Sequence, residues 1–351
     1  MKKTIDKKLY WLFFLIYLIG IVLITIFYVD YSLFLLVGFN VLSLILATII
    51  HELGHLVFGL ISNYQFVSFR IFNFMLIKEN NKIKIKSYSI PNTLGQCLLL
   101  PRSSEQKSML YNLGGVIFNF LTIVMMLLLL FINNPYIWLF SFIMINTSLF
   151  FALTNGVPLK VGLVSNDGKN AQNLKDKNEL RAFNNILFIN YYLSNNYRLD
   201  QIDEQYFTFN ESNNKEHTMS IKVVYFSRLL AFKKFEEALA LGNKLLNEEN
   251  VLPLYKLQIQ NDLVYLYCLN DDLENVQRLY NDQFIKSLKP LRNNISVLRT
   301  KYVYHLLVLN DNNEKIYQSF INFSKVHPYK GEVMSEVMLI DQARNRTLQD
   351  K

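Results

Sequence analysis

The chain has 351 residues, of which 51% are hydrophobic and only 18% are charged. This composition excludes an ordinary soluble globular protein, and the length leaves room for about two domains. The net charge of +8 is concentrated in the first half, where residues 1–168 hold 12 Lys/Arg against 6 Asp/Glu. Such a bias is typical of the cytoplasmic flanks of transmembrane helices. No basic stripe interleaved with aromatic residues indicates nucleic-acid binding, so no nucleic-acid partner is expected.

Four apolar segments predict transmembrane helices at about residues 9–29, 32–61, 109–132 and 136–155. The first segment follows four lysines, but it is long enough to span and no small-residue cleavage site comes after it. We therefore predict a retained helix rather than a signal peptide. The distribution of Lys and Arg predicts a multi-pass integral membrane protein with both termini in the cytoplasm. The expected location is the plasma membrane of a bacterium.

The polar interval at residues 62–107 is predicted to be cytoplasmic and rich in β-structure. Phe66–Phe72 contains many β-formers, Lys82–Lys86 alternates strictly, and Glu79–Asn81 is suited to a turn between them. Two interpretations remain open for this β-hairpin. Its lysines contact anionic lipid of the bilayer, or one of its strands pairs with an unwound substrate.

Residues 169–351 are predicted to form a soluble cytoplasmic domain of α-helices. Three segments that begin at Ala231, Leu269 and Leu309 share an apolar helix, a short polar turn and an acidic amphipathic helix. This pattern resembles a degenerate tetratricopeptide-type array, although an ordinary helical bundle is the alternative. The predicted fold is therefore mainly α. A polytopic membrane core (residues 1–168) with a small β-hairpin is followed by a helical, repeat-like domain (residues 169–351).

The motif His51-Glu52-Leu53-Gly54-His55 lies within the second apolar segment. On a helix, His51 and His55 are one turn apart on the same face, so both imidazoles can bind one Zn²⁺. Glu52 lies beside them, where it can take a proton from water. Ionisable groups at membrane depth are costly and usually functional, although two histidines bonded to backbone or to each other are the alternative.

Zinc in a catalytic site normally takes a third protein ligand, and the membrane half offers few acids. Asp6 and Asp30 are at the wrong end or on the wrong side, and Glu79 and Glu105 lie in the polar interval. Asp167 follows the fourth span at its cytoplasmic end, where the second span also places the histidines. Topology therefore favours Asp167 as the third ligand. The alternative is that Asp167–Gly168 is only a turn leading into the next helix.

Three segments together resemble the site-2 protease family of intramembrane zinc metalloproteases. They are His51–His55 in a span, Asn155-Gly156-Val157-Pro158 as an Asn-x-x-Pro segment, and Asp167–Gly168. In addition, Gly115–Asn119 is similar to the family's Gly-Pro-x-x-x-Asn region. The resemblance covers about residues 32–168. It departs from the family pattern at Val116, where a proline is expected, and in the 12 residues from Asn155 to Asp167, which exceed the common spacing.

The resemblance implies one Zn²⁺ per chain, bound by His51, His55 and Asp167, with Glu52 as the catalytic residue that activates water. It also implies that Asn119 and Asn155 face the site, where they orient substrate or stabilise the developing oxyanion. Without the resemblance, each asparagine would be interpreted as a hydrogen-bonding residue between helices.

The expected function is intramembrane proteolysis by a zinc metalloprotease. The substrate is a membrane-spanning protein or peptide, cleaved near the cytoplasmic face in regulated intramembrane proteolysis or in signal- or leader-peptide processing. The C-terminal helical domain is expected to select or gate substrate, or to bind a protein partner. Two alternatives remain. One is a non-catalytic membrane scaffold that works through its tetratricopeptide-like domain, and the other is a membrane-anchored metalloprotease that acts on soluble chains.

Overall fold

A computed structural model describes residues 2–88, 93–161, 164–291 and 294–349. Its content is 69% helix with a small amount of antiparallel strand, so the fold is mainly α. The helices are α1 Lys2–Phe27, α2 Leu33–Ile61, α3 Met109–Leu129, α4 Pro135–Gly156, α5 Asp167–Asn173, α6 Lys177–Ser194, α7 Glu216–Ala231, α8 Phe235–Leu246, α9 Pro253–Leu269, α10 Leu273–Leu279, α11 Asp282–Ser287, α12 Ile295–Leu307, α13 Glu314–Val326 and α14 Lys330–Gln349. The strands are β1 Gln65–Ile71, β2 Phe74–Glu79, β3 Lys82–Ser87, β4 Gly95–Leu100, β5 Lys160–Val161 and β6 Val164–Ser165.

Four helices in the described part of the chain, α1 to α4, are long and apolar enough to span a membrane. The bounds of α2, α3 and α4 agree with the predicted segments to within three residues, whereas α1 begins seven residues earlier than predicted. Local capping explains where two of them begin. The Ser32 side chain accepts a hydrogen bond from the Leu35 amide at the start of α2. At the start of α4, the Asn134 side chain accepts from two amides and Pro135 occupies the first turn.

The chain divides into two compact units, of which the first comprises Met1–Phe72 and Asn92–Leu180. In this unit α2 packs against α3 and α4, and α1 packs against α4. Strands β1 and β4 form an antiparallel ladder that packs against α2. Helices α2 and α3 approach closely at Gly54 and Gly114, because a Cβ on either glycine would overlap the carbonyl oxygen of the other. This close approach brings the histidine face of α2 against α3.

The prediction of one hairpin that pairs Phe66–Phe72 with Lys82–Lys86 is wrong in its strand partners. Strand β1 pairs with β4, in a register from Gln65↔Leu100 to Ile71↔Gly95. Strand β3 pairs instead with β2. The turn was predicted in the right place, since Asn80 and Asn81 both have positive φ (50° and 60°). In a two-residue turn, the residues on either side of the turn pair directly with each other. The Asn80–Asn81 turn therefore pairs β3 with β2, and β3 does not pair with β1 as predicted.

The second unit comprises Asn73–Pro91 and Arg181–Lys351. Its helical core is built around residues such as Phe226, Leu263 and Tyr302, all fully buried. Helices α7 and α8, α9 and α10, and α12 and α13 are neighbours in contact. Three turns that join these pairs contain one left-handed residue each, Lys233, Asp271 and Asn310, with φ of 58°, 54° and 52°. The three predicted polar turns are therefore present, while the repeat assignment stays a prediction.

The β2–β3 hairpin belongs to the second unit and is held there by polar contacts. Glu79 pairs with Lys84 and Lys86 at 3.2 and 3.0 Å and accepts a hydrogen bond from Asn196. The Asn80 amide donates to the Asn195 side chain. The compact units therefore differ from the predicted division after residue 168. The hairpin groups with the helical residues, and the later boundary lies within α6.

Candidate metal centre

Three side chains converge at the cytoplasm-directed end predicted for α2. The Nε2 atoms of His51 and His55 lie 3.3 Å apart. One carboxylate oxygen of Asp167, Oδ2, lies 3.0 Å from the first and 3.4 Å from the second. The histidines are 6% and 8% exposed and the Asp167 side chain is 20% exposed, so the cluster is largely buried. We call His51, His55 and Asp167 the ligand cluster.

The other nitrogen of each imidazole is already engaged. His51 Nδ1 lies 2.7 Å from the side-chain oxygen of Asn119, and Asn119 Nδ2 in turn donates to the Ala47 carbonyl. His55 Nδ1 lies 2.8 Å from the backbone carbonyl oxygen of Tyr111. A carbonyl oxygen only accepts hydrogen bonds, so both Nδ1 atoms must carry the proton. In a neutral imidazole, both Nε2 atoms then present lone pairs to the cluster.

Asp167 adds a third acceptor to these two lone pairs. Burial tends to raise the pKa of Asp167, but the positive charge and hydrogen bonds of protonated His55 and His51 hold that pKa well below its usual range. The Asp167 carboxylate is therefore ionised when protons occupy the Nε2 atoms. With neutral imidazoles, the three atoms are all acceptors at mutual distances of 3.0–3.4 Å, and they repel one another unless a cation lies among them. The arrangement thus calls for protons or a metal ion.

The spacing of the ligand cluster fits a tetrahedral zinc ion. A tetrahedral Zn²⁺ with bonds of about 2.0–2.2 Å places its ligand atoms about 3.3–3.6 Å apart. Two of the three observed separations, 3.3 and 3.4 Å, lie in this range, and the third, between His51 and Asp167, is shorter at 3.0 Å. Two imidazoles and one carboxylate are also a donor set that zinc accepts, and they leave a fourth position for water or substrate. The residues present therefore fit the metal that the sequence predicted.

A small hairpin carries Asp167 to the histidines and accommodates the long interval after Asn155. Strands β5 and β6 pair Lys160 with Ser165 and so return the chain to the end of α4. Asn166 then stabilises this reversal of the chain with four hydrogen bonds. Its Oδ1 accepts from the amides of Leu159 and Lys169, and its Nδ2 donates to the carbonyls of Thr154 and Val157. Asp167 consequently begins α5 beside the last turn of α4.

Two glycines permit the close approach of the backbone around the ligand cluster. A Cβ on Gly168 would overlap the carbonyl oxygen of Gly156, so only glycine lets α5 start against the end of α4. A Cβ on Gly115 would lie 2.5 Å from Cε1 of the His51 ring. The space occupied by that ring therefore exists because residue 115 has no side chain. Val116, which departs from the family pattern, contacts the Gly156 position instead.

Glu52 is buried on α2, with 8% of its surface exposed, on the side that faces β4. Gly95, the first residue of β4, lies directly against it, since a Cβ there would overlap Cγ and Oε1 of Glu52. The predicted base thus lies on the helix that carries His51 and His55, and the backbone of β4 contacts its carboxylate.

The two predicted asparagines differ in position. Asn119 contacts His51 and therefore orients a ligand, rather than pointing at a free substrate position. Asn155 donates to the Phe151 carbonyl of its own helix, and no hydrogen bond described for this part of the chain links it to the ligand cluster or to Glu52. Asn119 is thus in contact with the cluster, and the substrate or oxyanion role of both asparagines stays a prediction.

Sequence reasoning did not identify Asn166, the Tyr111 carbonyl or Gly95. Asn166 had a usable signal, because an asparagine directly before a helix is a preferred N-cap, and its side chain does accept from Lys169 of α5. The Tyr111 carbonyl and the Gly95 backbone carry no signal in their residue types. Their roles depend on which elements pack together.

The remaining histidines, His217, His305 and His327, lie in the second unit. Among the residues that the structure describes, His51, His55 and Asp167 form the group of His, Cys, Asp and Glu side chains suited to a metal ion. Comparisons of the chain with models of protein families, with curated proteins and with solved structures found no match.

Proposed function

We propose that the chain is an intramembrane zinc metalloprotease of the site-2 protease type. Its substrate is a membrane-spanning protein or peptide, cleaved near the cytoplasmic face. The observation that carries the proposal is the triangle of three ligand atoms, with both Nδ1 atoms bonded to acceptors. Two of its residues, His51 and His55, lie on a helix apolar enough to span a membrane. Glu52 adjoins this triangle in the sequence and is buried with it.

The chemistry assigned to each residue follows from its position. His51, His55 and Asp167 would hold Zn²⁺, which would supply Lewis acidity to the scissile carbonyl and to the attacking water. The Glu52 carboxylate takes one proton from that water and delivers it to the nitrogen of the leaving amine. One C–N bond is broken, one C–O bond is formed, and Glu52 ends in its starting protonation state.

Two hydrogen-bond acceptors hold the imidazoles in the orientation that metal binding requires. The Asn119 side chain and the Tyr111 carbonyl hold the Nδ1 protons and thereby fix the direction of both Nε2 lone pairs. Such outer partners raise the basicity of a metal-bound imidazole and restrict its rotation. Their presence supports a metal-binding role over a pair of histidines that only bridges helices.

The substrate class follows from the surroundings of the ligand cluster. Leu53, Val57 and Leu60 on α2 are 36–47% exposed, as expected for side chains that face lipid. A substrate helix must unwind locally before hydrolysis, because its peptide bonds are shielded by their own hydrogen bonds. In this proposal both termini are cytoplasmic, and the C-terminal helical domain selects substrates or binds a protein partner.

The test compares the wild-type protein with Glu52→Gln in the same membranes. Purified Glu52→Gln should retain one zinc per chain, as measured by elemental analysis. It should also lose cleavage by about 10³-fold or more, because the proton acceptor is gone. Comparative membrane peptidomics of cells that carry either protein should show fragments that end inside hydrophobic segments and that depend on Glu52.

Other outcomes reject parts of the proposal. Cleavage that persists in Glu52→Gln would assign the base to another residue. Glu52-dependent fragments confined to soluble regions would favour a membrane-anchored metalloprotease of soluble chains. Wild-type protein that binds no zinc and yields no fragments would favour a scaffold.

A further inference from the structure

Arg70 is an unusual residue for the end of a strand, because it is charged and only 1% exposed. Its guanidinium donates to the Phe72 carbonyl at 2.6 Å and to the Gly95 carbonyl at 3.2 Å. It also donates to the Thr93 hydroxyl. These acceptors lie where β1 ends and where β4 begins. Arg70 thus joins the two strands at one end of the β1–β4 ladder.

The strand that Arg70 holds is the one that contacts Glu52. Gly95 pairs with Ile71 in the ladder, and its Cα faces Cγ and Oε1 of Glu52 with no room for a Cβ. The carboxylate therefore rests against the Gly95 backbone. Any shift of the start of β4 changes the space in which the Glu52 side chain can rotate.

A buried guanidinium is a costly way to hold a strand end, since desolvating a charge is unfavourable unless it is fully hydrogen-bonded. A neutral amide could bind carbonyl groups at lower cost. Arg70 instead makes three hydrogen bonds at once, and one of them holds the Gly95 backbone that contacts Glu52.

We propose that Arg70 is a positioning residue for Glu52. By holding the Gly95 backbone in place, it keeps the Glu52 carboxylate in the orientation that proton transfer requires. The role assigned to Glu52 rests on the proposed function. The immobilisation of β4 by Arg70 does not, so the two can be tested separately.

Cys97 provides a readout that is independent of catalysis. It lies in β4, two residues from Gly95, and is 6% exposed. Burial also raises the pKa of its thiol, so it should react slowly with alkylating reagents. The chain contains only one other cysteine, Cys268. A Cys268→Ser background therefore reports on β4 alone.

The experiment measures alkylation of Cys97 by N-ethylmaleimide in purified, zinc-loaded full-length protein. Arg70→Gln should accelerate labelling about tenfold or more, since the strand end opens more often. Arg70→Lys should lie between this variant and the wild type. Arg102→Gln is the matched control, because Arg102 is an exposed arginine shortly after β4. In this variant the labelling of Cys97 should change by less than about twofold.

The same variants are then assayed for peptide hydrolysis and zinc content. Arg70→Gln should lower kcat about tenfold or more while KM changes by less than about threefold and one zinc per chain is retained. Gly95→Ala should lower kcat similarly with Arg70 intact, which covers the case in which Arg70→Gln does not fold. Arg70→Lys should recover part of kcat.

Three results would overturn the inference. Unchanged Cys97 labelling in Arg70→Gln would show that Arg70 does not hold β4. An unchanged kcat in both Arg70→Gln and Gly95→Ala would show that β4 does not position Glu52. Zinc loss in proportion to the loss of kcat would assign Arg70 to general stability. Failure of the proposed function looks different, since wild-type and Glu52→Gln proteins would then hydrolyse equally while Cys97 still responded to Arg70→Gln.

Discussion

Each unit of the molecule buries a group of charged or ionisable side chains, and the two groups are built in opposite ways. In the second unit, Arg299 is fully buried between Asp262, which its Nη2 contacts, and Glu336, whose Oε2 lies 3.0 Å from its Nε. The guanidinium also lies 4.4 Å from the centroid of the Tyr265 ring. We call Asp262, Arg299 and Glu336 the ionic cluster. It contains its own counter-charge.

The ligand cluster of the first unit has no Lys or Arg as its counter-charge, so protons or a metal ion must balance Asp167. Its three inward-facing atoms are two imidazole Nε2 atoms and a carboxylate oxygen, and the Nδ1 protons are bound elsewhere. A buried ionic network built for stability supplies both signs of charge from its own side chains. A buried network that holds a bound cation instead leaves a space for that cation among its ligand atoms. The comparison therefore supports the proposal that the ligand cluster holds a cation.

The largest expected effect comes from changing the aspartate of each cluster. Asp167→Asn should weaken zinc binding by about 10³-fold or more, because an anionic ligand is replaced by a poor neutral one. Asp262→Asn should leave zinc binding within about twofold, since its partner is Arg299. Chelator competition on the purified variants measures both affinities. Full zinc occupancy in Asp167→Asn would assign the third ligand to another residue.

The next effect concerns stability. Arg299→Gln leaves two buried carboxylates without their cation and should lower the free energy of unfolding of the second unit by about 3–5 kcal/mol. Zinc content should not change. Urea unfolding of the full-length protein in detergent, followed by far-ultraviolet circular dichroism, measures the loss. Lys301→Gln on the same helix is exposed and serves as the control. Equal stability in the two variants would show that the ionic cluster is not structural.

A smaller effect separates the two asparagines. Asn119→Ala removes the acceptor for His51 Nδ1 and should weaken zinc binding about 10–100-fold, as is usual for an outer partner of a metal ligand. Asn155→Ala is the matched control, because Asn155 binds only the Phe151 carbonyl among the hydrogen bonds described for it. Its zinc affinity should stay within about twofold. Equal losses in both variants would place Asn155 beside the site after all.

The smallest effect concerns Glu79 and depends on pH. Burial alone would raise the pKa of Glu79, but hydrogen bonds from Lys86, Asn196 and Lys84 lower it to about 2. A lowered folded-state pKa stabilises the fold above the ordinary value near 4.5, and this stabilisation is lost as the pH falls toward 2. Glu79→Gln should therefore destabilise the protein by about 1–2 kcal/mol at pH 7 and by much less near pH 2.5. Thermal unfolding of both proteins at the two pH values measures the difference. A penalty independent of pH would show that packing, not charge, holds the hairpin.

Local properties of the sequence were sufficient for several features. Runs of about 20 apolar residues specified the four spans, and a spacing of four residues put His51 and His55 on one helix face. The three polar turns at Lys233, Asp271 and Asn310 were also foreseen, because each interrupts an apolar helix. The Asn80–Asn81 turn followed from two residues that tolerate positive φ.

Other features depended on contacts between residues far apart in the sequence. The sequence could not assign β4 to β1, since strand pairing depends on turn register and on packing against α2. It proposed Asp167 as a ligand from topology, but the β5–β6 hairpin and Asn166 determine how that carboxylate reaches the histidines. Asn119 was recognised as a candidate, yet only the packing of α3 on α2 showed which nitrogen it faces.

The sequence by itself therefore determined which residues could do chemistry and which segments could lie in a membrane, because composition and helical periodicity act over a few turns. Tertiary structure decided which of those residues meet. It placed the Tyr111 carbonyl on His55, Gly95 on Glu52 and Arg70 behind Gly95. These contacts involve backbone atoms and a glycine position that has no side chain. Residue type alone does not predict them, because they form only when the helices and strands pack together.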